Sequence, residues 1–251
     1  RDSPLIKGFK NHPPVDLIRL EEILIRLSQL VTDFPEIEAI DINSLIVTQD
    51  DVYGMNPRIR LSPSETPAPH HLVISPYPNQ YEDRTMREGV GELFIRPIRP
   101  EDAPLLIELF DSLSRQSVYF RFFSPLKKLP SSMLARFTQI DYDREMALVA
   151  LLGAEPNEKM LGVARVITDI YNRKKAEFSI VVGDLWQGKG IGKELLKRCL
   201  SISKERGIEN VKGIVLPENT QMLALGKKLG FTAKKMVGES EYELNIDLTK
   251  L

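Results

Sequence analysis

The sequence has little cysteine and no long apolar run. Cys199 is the single cysteine among 251 residues, which excludes an internal disulfide framework and is typical of a reducing compartment. Its apolar neighbours recur at helical spacing, which favours a packing role over that of a nucleophile. No apolar stretch approaches the ~20 residues that a membrane span needs. We therefore expect a cytoplasmic protein with no membrane partner.

The sequence also has few histidines and almost no net charge. The three histidines, His12, His70 and His71, all lie within the first 71 residues, so a histidine base in the rest of the chain is not expected. The adjacent pair has no partner at metal-ligand spacing. A balance of 34 basic against 35 acidic side chains leaves a formal net charge of -1. Such a chain has no global basic field for nucleic acid, and none is expected as a partner.

A glycine-rich stretch behind an apolar strand is the strongest signal present. Residues 177–182 predict a buried strand, and the glycines at 188, 190 and 192 stand where a helix begins. Glycine lets the backbone approach a ligand closely, and the first amides of a helix have no internal partner. Because the helix dipole adds positive charge there, the stretch predicts a phosphate- or pyrophosphate-binding loop.

The spacing of these glycines distinguishes between loop families. The glycine spacing matches neither the dinucleotide-binding fingerprint nor the P-loop motif. The pattern Gln/Arg-x-x-Gly-x-Gly/Ala, present as Gln187, Gly190 and Gly192, resembles the coenzyme A loop of the GNAT N-acetyltransferases. Asn219 and the pair Gly230-Phe231 match a second GNAT pattern on the helix after the following strand.

The order of predicted elements agrees with this resemblance. From residue 92 the chain alternates as strand, helices, three strands, then helix and strand. The resemblance covers residues 92–249 and implies an α/β (α+β) GNAT fold, with a mixed central sheet flanked by helices. It also implies acetyl-CoA as cosubstrate and no metal. The implied coenzyme contacts are Ile180, Val181, Val182, Gln187, Gly188, Lys189, Gly190, Ile191, Gly192, Lys193 and Asn219.

Glu177 is the candidate general base. Amine acetylation needs a neutral nucleophile, so a carboxylate near the acceptor must take a proton from the ammonium group. Glu177 lies on the strand that runs into the loop, and a free strand N–H beside it can polarise the acetyl carbonyl. The tyrosine that often serves GNAT enzymes as acid falls on Gly226. The acid is therefore expected from Tyr142, Tyr119 or a water molecule.

Residues 1–60 predict a small unit of one helix and a hairpin. Segments 8–9, 12–16, 27–30, 33–36 and 38–45 resemble the C-terminal end of the ATP-grasp domain of NDP-forming acyl-CoA synthetases. The resemblance implies that Asp41 and Asn43 face a nucleotide-bound metal in a complete domain. The family's usual proline after that asparagine is Ser44 here. Because the glycine-rich strap and nucleotide-binding lysine also have no counterpart, we interpret the unit as a structural remnant.

Prolines divide this unit from the rest. Five prolines between residues 63 and 78 predict an extended linker over residues 61–91, followed by a GNAT acetyltransferase domain over residues 92–251. The chain begins at Arg1 in a loop-like segment, which indicates a piece of a longer protein.

A narrower resemblance predicts the substrate. Segments 95–102, 121–125, 138–146 and 176–178, with the ATP-grasp tail and linker, resemble the Pat group of bacterial protein lysine acetyltransferases. That group uses the glutamate matching Glu177 as general base, and its typical targets are acyl-CoA synthetases. We therefore expect acetyl transfer from acetyl-CoA to a protein lysine by direct attack in a ternary complex. The alternatives are a portion of an ADP-forming acetate–CoA ligase and a non-catalytic acyl-CoA-binding sensor module. The sensor is an alternative because Gly226 stands in place of the family's tyrosine acid.

Overall fold

The computed structural model describes residues 15–47, 52–68, 71–72, 75–154, 157–236 and 238–250. The chain divides into two compact units, residues 1–76 and 77–251. The predicted features at residues 8–14, the turn at 49–51 and His70 lie outside the described residues. Within the described ranges, no helix is long and apolar enough to cross a membrane.

The first unit consists of one helix and two strand pairs. Helix α1 (Leu17–Asp33) forms where apolar residues recur every three or four positions, and the Arg19 amide donates to Asp16 Oδ1 at its start (3.3 Å). Strand β1 (Ile37–Ile42) pairs antiparallel with β4 (Pro57–Leu61), and β2 (Leu45–Val47) with β3 (Val52–Gly54). The helix and the β2–β3 hairpin agree with the prediction, whereas β4 was not predicted.

The metal-facing pair implied by the ATP-grasp resemblance does not share a strand face. Asp41 lies on β1, but that strand ends at Ile42, before Asn43, and the next strand begins at Leu45. Both Asp41 and Asn43 are exposed. The described residues contain no group of three or more His, Cys, Asp or Glu side chains able to hold a metal ion.

The second unit is built around one mixed sheet of eight strands, ordered β11-β12-β10-β9-β8-β7-β6-β5. The strands are β5 (Asp83–Arg87), β6 (Gly91–Pro97), β7 (Glu145–Leu152), β8 (Lys159–Thr168), β9 (Lys175–Val182), β10 (Asn210–Val215), β11 (Thr232–Lys235) and β12 (Tyr242–Asp247). The helices are α2 (Ala103–Asp111), α3 (Arg115–Phe122), α4 (Ser131–Thr138), α5 (Ile191–Glu205) and α6 (Thr220–Lys228). All neighbouring strands are antiparallel except β9 and β10.

Helices cover both faces of this sheet. Alternate residues of β7 belong to two separate cores, with Leu148 on the α5 side and Val149 on the α2 side. Cys199 of α5 is buried in the first core, which confirms its predicted packing role. Burial raises the pKa of this thiol to about 12, so it remains protonated near neutral pH.

Strand β5 lies inside the range predicted as a linker. Residues 83–87 pair with β6 at the sheet edge, and the ring of Tyr77 packs edge-on against Tyr142 at a centroid distance of 5.8 Å. The compact unit begins at Tyr77, and β5 joins the sheet within the range predicted as a linker. The segment Asp-Arg-Thr-Met-Arg has no apolar alternation of its own, and its strand forms because β6 offers a free edge.

Candidate active site

The sheet opens between β9 and β10. These parallel strands pair only over their first residues, 175–177 with 210–212. At the next residue, Gly213, an added Cβ would lie 2.5 Å from the Phe178 ring, so glycine allows that ring to lie against the β10 backbone. The opening forms part of a cleft of about 1050 Å³ lined by both strands, the glycine loop, α3 and α6.

The β9 backbone presents free hydrogen-bonding groups to this opening. The register between β8 and β9 is continuous, and at its end the Gly183 amide donates to the Leu161 carbonyl (2.9 Å). Antiparallel strands exchange bonds at every second residue, so the backbone groups of Ile180 and Val182 face the opening. Those of Val181 face β8. The Val181 backbone is thus directed away from the contact predicted for it, although the residue lines the cleft.

The loop after β9 has the geometry expected of an anion cradle. Gly188 and Gly190 have φ values of 76° and 82°, a region in which residues with a Cβ are strained. Gly190 is the N-cap of α5, so the first amides of that helix have no intrahelical acceptor. Gly192 follows in the first turn and lines the cleft with Lys193. A phosphate group is the natural guest of this arrangement.

Two predicted coenzyme residues do not line the cleft with their side chains. The Nζ atom of Lys189 lies 4.6 Å from the centroid of the Trp186 ring, and Ile191 is buried in the α5 core. Ile191 can therefore offer a ligand only its backbone amide, whereas the Lys189 side chain is exposed outside the cleft. Asn219 does line the cleft, and it also caps α6 by accepting from the Met222 amide (3.1 Å).

Asp184 is a site residue that the sequence did not predict. Its carboxylate accepts from the Ser114 amide (2.5 Å) and the Ser117 hydroxyl (2.5 Å) at the start of α3. The Gln187 side-chain amide donates to the same carboxylate (3.1 Å) and to the Val182 carbonyl (3.1 Å). Gln187 therefore stabilises the loop through hydrogen bonds to its own neighbours, and the Asp184 carboxylate connects the loop to α3. Because the serines are about 70 residues away in sequence, no local pattern indicated this contact.

Glu177 and Arg121 bring opposite charges to one side of the cleft. Both line it, and Glu177 is exposed. Arg121 Nη2 donates to the Ser179 hydroxyl (3.0 Å), and the guanidinium lies 5.0 Å from the Phe122 ring centroid. Burial lowers the pKa of Arg121 to about 10, an effect that the charge of Glu177 opposes. At neutral pH Arg121 is therefore a cation beside the predicted base.

No predicted tyrosine is placed to act as the acid. The Tyr142 hydroxyl is buried and donates to the Ile98 carbonyl, and burial raises its pKa. Tyr119 is exposed, and neither side chain lines the cleft. At Gly226 an added Cβ would lie 2.6 Å from Leu244 Cδ1, because α6 packs closely on β12 there. Of the three predicted acids, a water molecule remains.

Arg87 was also not predicted as a site residue, because it lies on the unpredicted β5. Its guanidinium bonds Glu194 of α5 (3.2 Å), and a Cβ added to Gly190 would lie 3.3 Å from its Nη1 atom. Arg198 bridges Glu194 (2.8 Å) and Asp83 (2.7 Å). The start of α5, where the loop ends, is therefore held against the edge strand by a charge network.

Comparison with known proteins matches both parts of the chain to family models. Residues 1–61 match an ATP-grasp domain, and residues 92–232 match the acetyltransferase (GNAT) domain. A 49-residue segment is 42% identical to a 4-hydroxybutyrate–CoA ligase (ADP-forming) of Nitrosopumilus maritimus, covering 20% of this chain and 7% of that protein. The likeness to an NDP-forming ligase is thus confirmed, over a small part of that enzyme.

The acetyltransferase part also has curated and structural relatives. It is 25% identical to an acetyltransferase of Pseudomonas aeruginosa over 57% of this chain and 76% of that protein. It is 28% identical to the acetyltransferase Pat of Mycolicibacterium smegmatis over 56% of this chain and 41% of that protein. The crystal structure of the GNAT domain of S. lividans PAT superposes with a TM-score of 0.63 at 27% identity, covering 68% of this chain and 99% of that one. The chain therefore belongs to the GNAT acetyltransferase family, with a Pat-like catalytic domain that follows a segment of an ATP-grasp domain.

Proposed function

We propose that this chain transfers an acetyl group from acetyl-CoA to a lysine side chain of a protein, such as an acyl-CoA synthetase. The observation that carries the proposal is the position of Glu177, an exposed carboxylate in the same cleft as the glycine loop. The similarity to Pat proteins supports a protein acceptor.

Binding of the coenzyme is assigned to the loop and to the free edge of β9. The amides at the start of α5 and the Lys193 ammonium would hold the phosphates. The N–H groups of Ile180 and Val182 and the C=O group of Ile180 face the opening and suit an extended arm with amide groups of its own, whereas the Val182 carbonyl already accepts from Gln187. An N–H on this edge would polarise the thioester carbonyl and stabilise negative charge on its oxygen.

The chemical step needs one base and no covalent intermediate. Glu177 accepts a proton from the lysine ammonium, and the neutral amine attacks the thioester carbon. A C–N bond forms and the C–S bond breaks. The nitrogen releases its second proton to water, and the thiolate takes a proton from water. Cys199 is buried and its thiol stays protonated, so an acyl-cysteine route is not supported.

Replacing Glu177 by glutamine tests this assignment. We expect Glu177→Gln to bind acetyl-CoA with unchanged affinity in calorimetry and to lose about 10²–10⁴-fold in turnover, the usual contribution of a general base. The acceptor is a purified acyl-CoA synthetase labelled with radioactive acetyl-CoA and mapped for its modified lysine. Glu92→Gln, an exposed glutamate on β6 outside the cleft, is the matched control. Undiminished turnover of Glu177→Gln would remove Glu177 as the base.

A sensor without catalysis is the second candidate, favoured by one observation. Neither candidate tyrosine lines the cleft, so no protein acid has been assigned to the leaving thiolate. Such a module would bind acetyl-CoA in calorimetry and label no lysine in any synthetase tested. Labelling of a single mapped lysine, lost in Glu177→Gln, would exclude it.

A portion of an ADP-forming CoA ligase is the third candidate. The ATP-grasp match over residues 1–61 favours this reading of a longer parent protein. Formation of acetyl-CoA from acetate, CoA and ATP by that parent would support it. This ligase activity is independent of Glu177, so Glu177→Gln distinguishes it from acetyl transfer to lysine.

A further inference from the structure

Arg121 is a cation that forms no salt bridge with any described residue. Among the residues that the structure describes it forms one hydrogen bond, to the neutral Ser179 hydroxyl (3.0 Å), and no ion pair. Its guanidinium also lies near the rings of Phe122 and Phe137, at 5.0 and 5.7 Å from their centroids. A guanidinium has five N–H donors, so Arg121 retains unused donors where it lines the cleft.

The charges around Arg121 do not balance. Arg165 and Arg136 both pair with the carboxylate of Glu145, so that carboxylate already serves two cations. Glu177 is the other nearby carboxylate that acts on Arg121. Three guanidinium groups against two carboxylates leave one positive charge in excess. The Arg136 side chain is 54% exposed, so the cost of desolvation falls on the buried Arg165 and the half-buried Arg121.

The far side of Arg121 offers no counter-charge. A small cavity of about 30 Å³ lies there, shared between Arg121 and Arg165. Its remaining lining consists of Ser179 and nine apolar side chains, and none of the residues that line it is acidic. We therefore expect an anion to approach the guanidinium from the main cleft.

We propose that Arg121 forms a carboxylate-binding subsite beside Glu177. The inference rests on the proposed function, since it names a feature of the substrate that this cleft accepts. A carboxylate matches the planar fork of a guanidinium and contributes the one negative charge that the cluster lacks. It has two sources: the end of a dicarboxylic acyl group such as succinyl, or an acidic side chain next to the acceptor lysine.

Matched substrates distinguish the two sources. In the first arm, succinyl-CoA is compared with butyryl-CoA, which has the same number of acyl carbons and no charge. In the second, acetyl-CoA is used with acceptor peptides that differ by Glu or Gln next to the lysine. We expect a preference of about tenfold or more in kcat/KM for the anionic member of one pair, which is the scale of one charge-assisted hydrogen bond.

Three variants test whether Arg121 causes the preference. Arg121→Gln removes the charge and keeps a donor for Ser179, so it should abolish the preference, whereas Arg121→Lys should retain part of it. Ser179→Asp places a carboxylate beside Arg121 from within the protein, and should abolish the preference with Arg121 intact. Circular dichroism and thermal unfolding establish that each variant folds. No preference in either arm, or a preference that survives both Arg121→Gln and Ser179→Asp, overturns the proposal.

Binding measurements separate this proposal from the function on which it rests. Calorimetry with the two thioesters and the two peptides reports the charge preference without any transfer. An Arg121-dependent preference in binding, with no acyl transfer to any lysine, would retain the subsite and reject the transferase. Acyl transfer without a charge preference would retain the transferase and reject the subsite.

Discussion

Gly213 shows how one missing side chain shapes the cleft. An added Cβ would meet three atoms of the Phe178 ring at 2.5, 2.8 and 2.9 Å, and the same ring lies 5.0 Å from that of Phe231. The ring has little freedom to withdraw, because Phe178 is buried in the α5 core. The glycine is therefore a packing requirement at the point where β9 and β10 separate.

We predict that Gly213→Ala lowers the free energy of unfolding by about 1–3 kcal/mol, the usual cost of overpacking. Urea denaturation measures it. Phe178→Leu and the double variant complete a cycle, and the shorter side chain should relieve much of the penalty of the alanine. Fully additive effects of the two substitutions would contradict the contact as the cause.

Backbone geometry that follows from local pattern was predictable from the sequence, whereas contacts that depend on distant partners were not. The positive φ values of Gly188 and Gly190 follow from glycine at the start of a helix, which the sequence displays directly. The direction of the Val181 backbone depends on the register with β8, and a single sequence does not specify that register. In the sequence, Arg121 stood out only as part of the Pat-like segment 121–125, and only the fold places its guanidinium beside Glu177.

At the scale of elements, Asp184 connects the coenzyme loop with helix α3. Its carboxylate accepts from Ser114, Ser117 and Gln187 together. Because α3 also contributes Arg121 to the cleft, this contact couples the two sides of the active site.

We predict that Asp184→Asn weakens acetyl-CoA binding by about tenfold, the effect of losing charge-assisted hydrogen bonds that order the loop. Calorimetry gives the affinity and steady-state kinetics gives KM. Asp111→Asn, an exposed aspartate at the end of α2, controls for the loss of a surface charge. Equal affinity of Asp184→Asn and wild type would show that the loop holds its shape without this carboxylate.

The predicted elements of the second unit agree with the structure from β6 onward, because apolar periodicity is strong there. Strand β9 spans Lys175–Val182 and includes residues 177–182, whose pattern predicted it. Strand β5 was missed because its residues are mostly charged and its stability depends on β6 and on the contacts of Arg87 with α5. Edge strands of this kind carry little signal in their own sequence.

At the scale of the whole molecule, the second unit begins earlier than the family match suggests. The match to the acetyltransferase model starts at residue 92, whereas the compact unit starts at Tyr77. The additional residues include β5, which covers the edge of β6, and Tyr77, whose hydroxyl bonds Glu82 (2.8 Å).

We predict that residues 77–251 produced alone fold and bind acetyl-CoA as the full chain does. Residues 92–251 should instead aggregate or unfold at lower temperature. They expose the edge of β6 and lose the ion pairs between β5 and α5. Size-exclusion chromatography and thermal unfolding compare the two. Equal stability of both truncations would mean that β5 is dispensable.

The opening between β9 and β10 also has a kinetic consequence along a single strand. Amides of Ser179 and Val181 point to β8, whereas those of Ile180 and Val182 point to the opening. Without coenzyme, we predict an odd-even pattern of amide hydrogen exchange, fast at Ile180 and Val182 and slow at their neighbours. Resolved by nuclear magnetic resonance, the pattern should vanish when acetyl-CoA binds, since the pantetheine arm would then accept from the free amides. Uniform exchange along β9 in the free protein would show that solvent does not reach the strand's open edge.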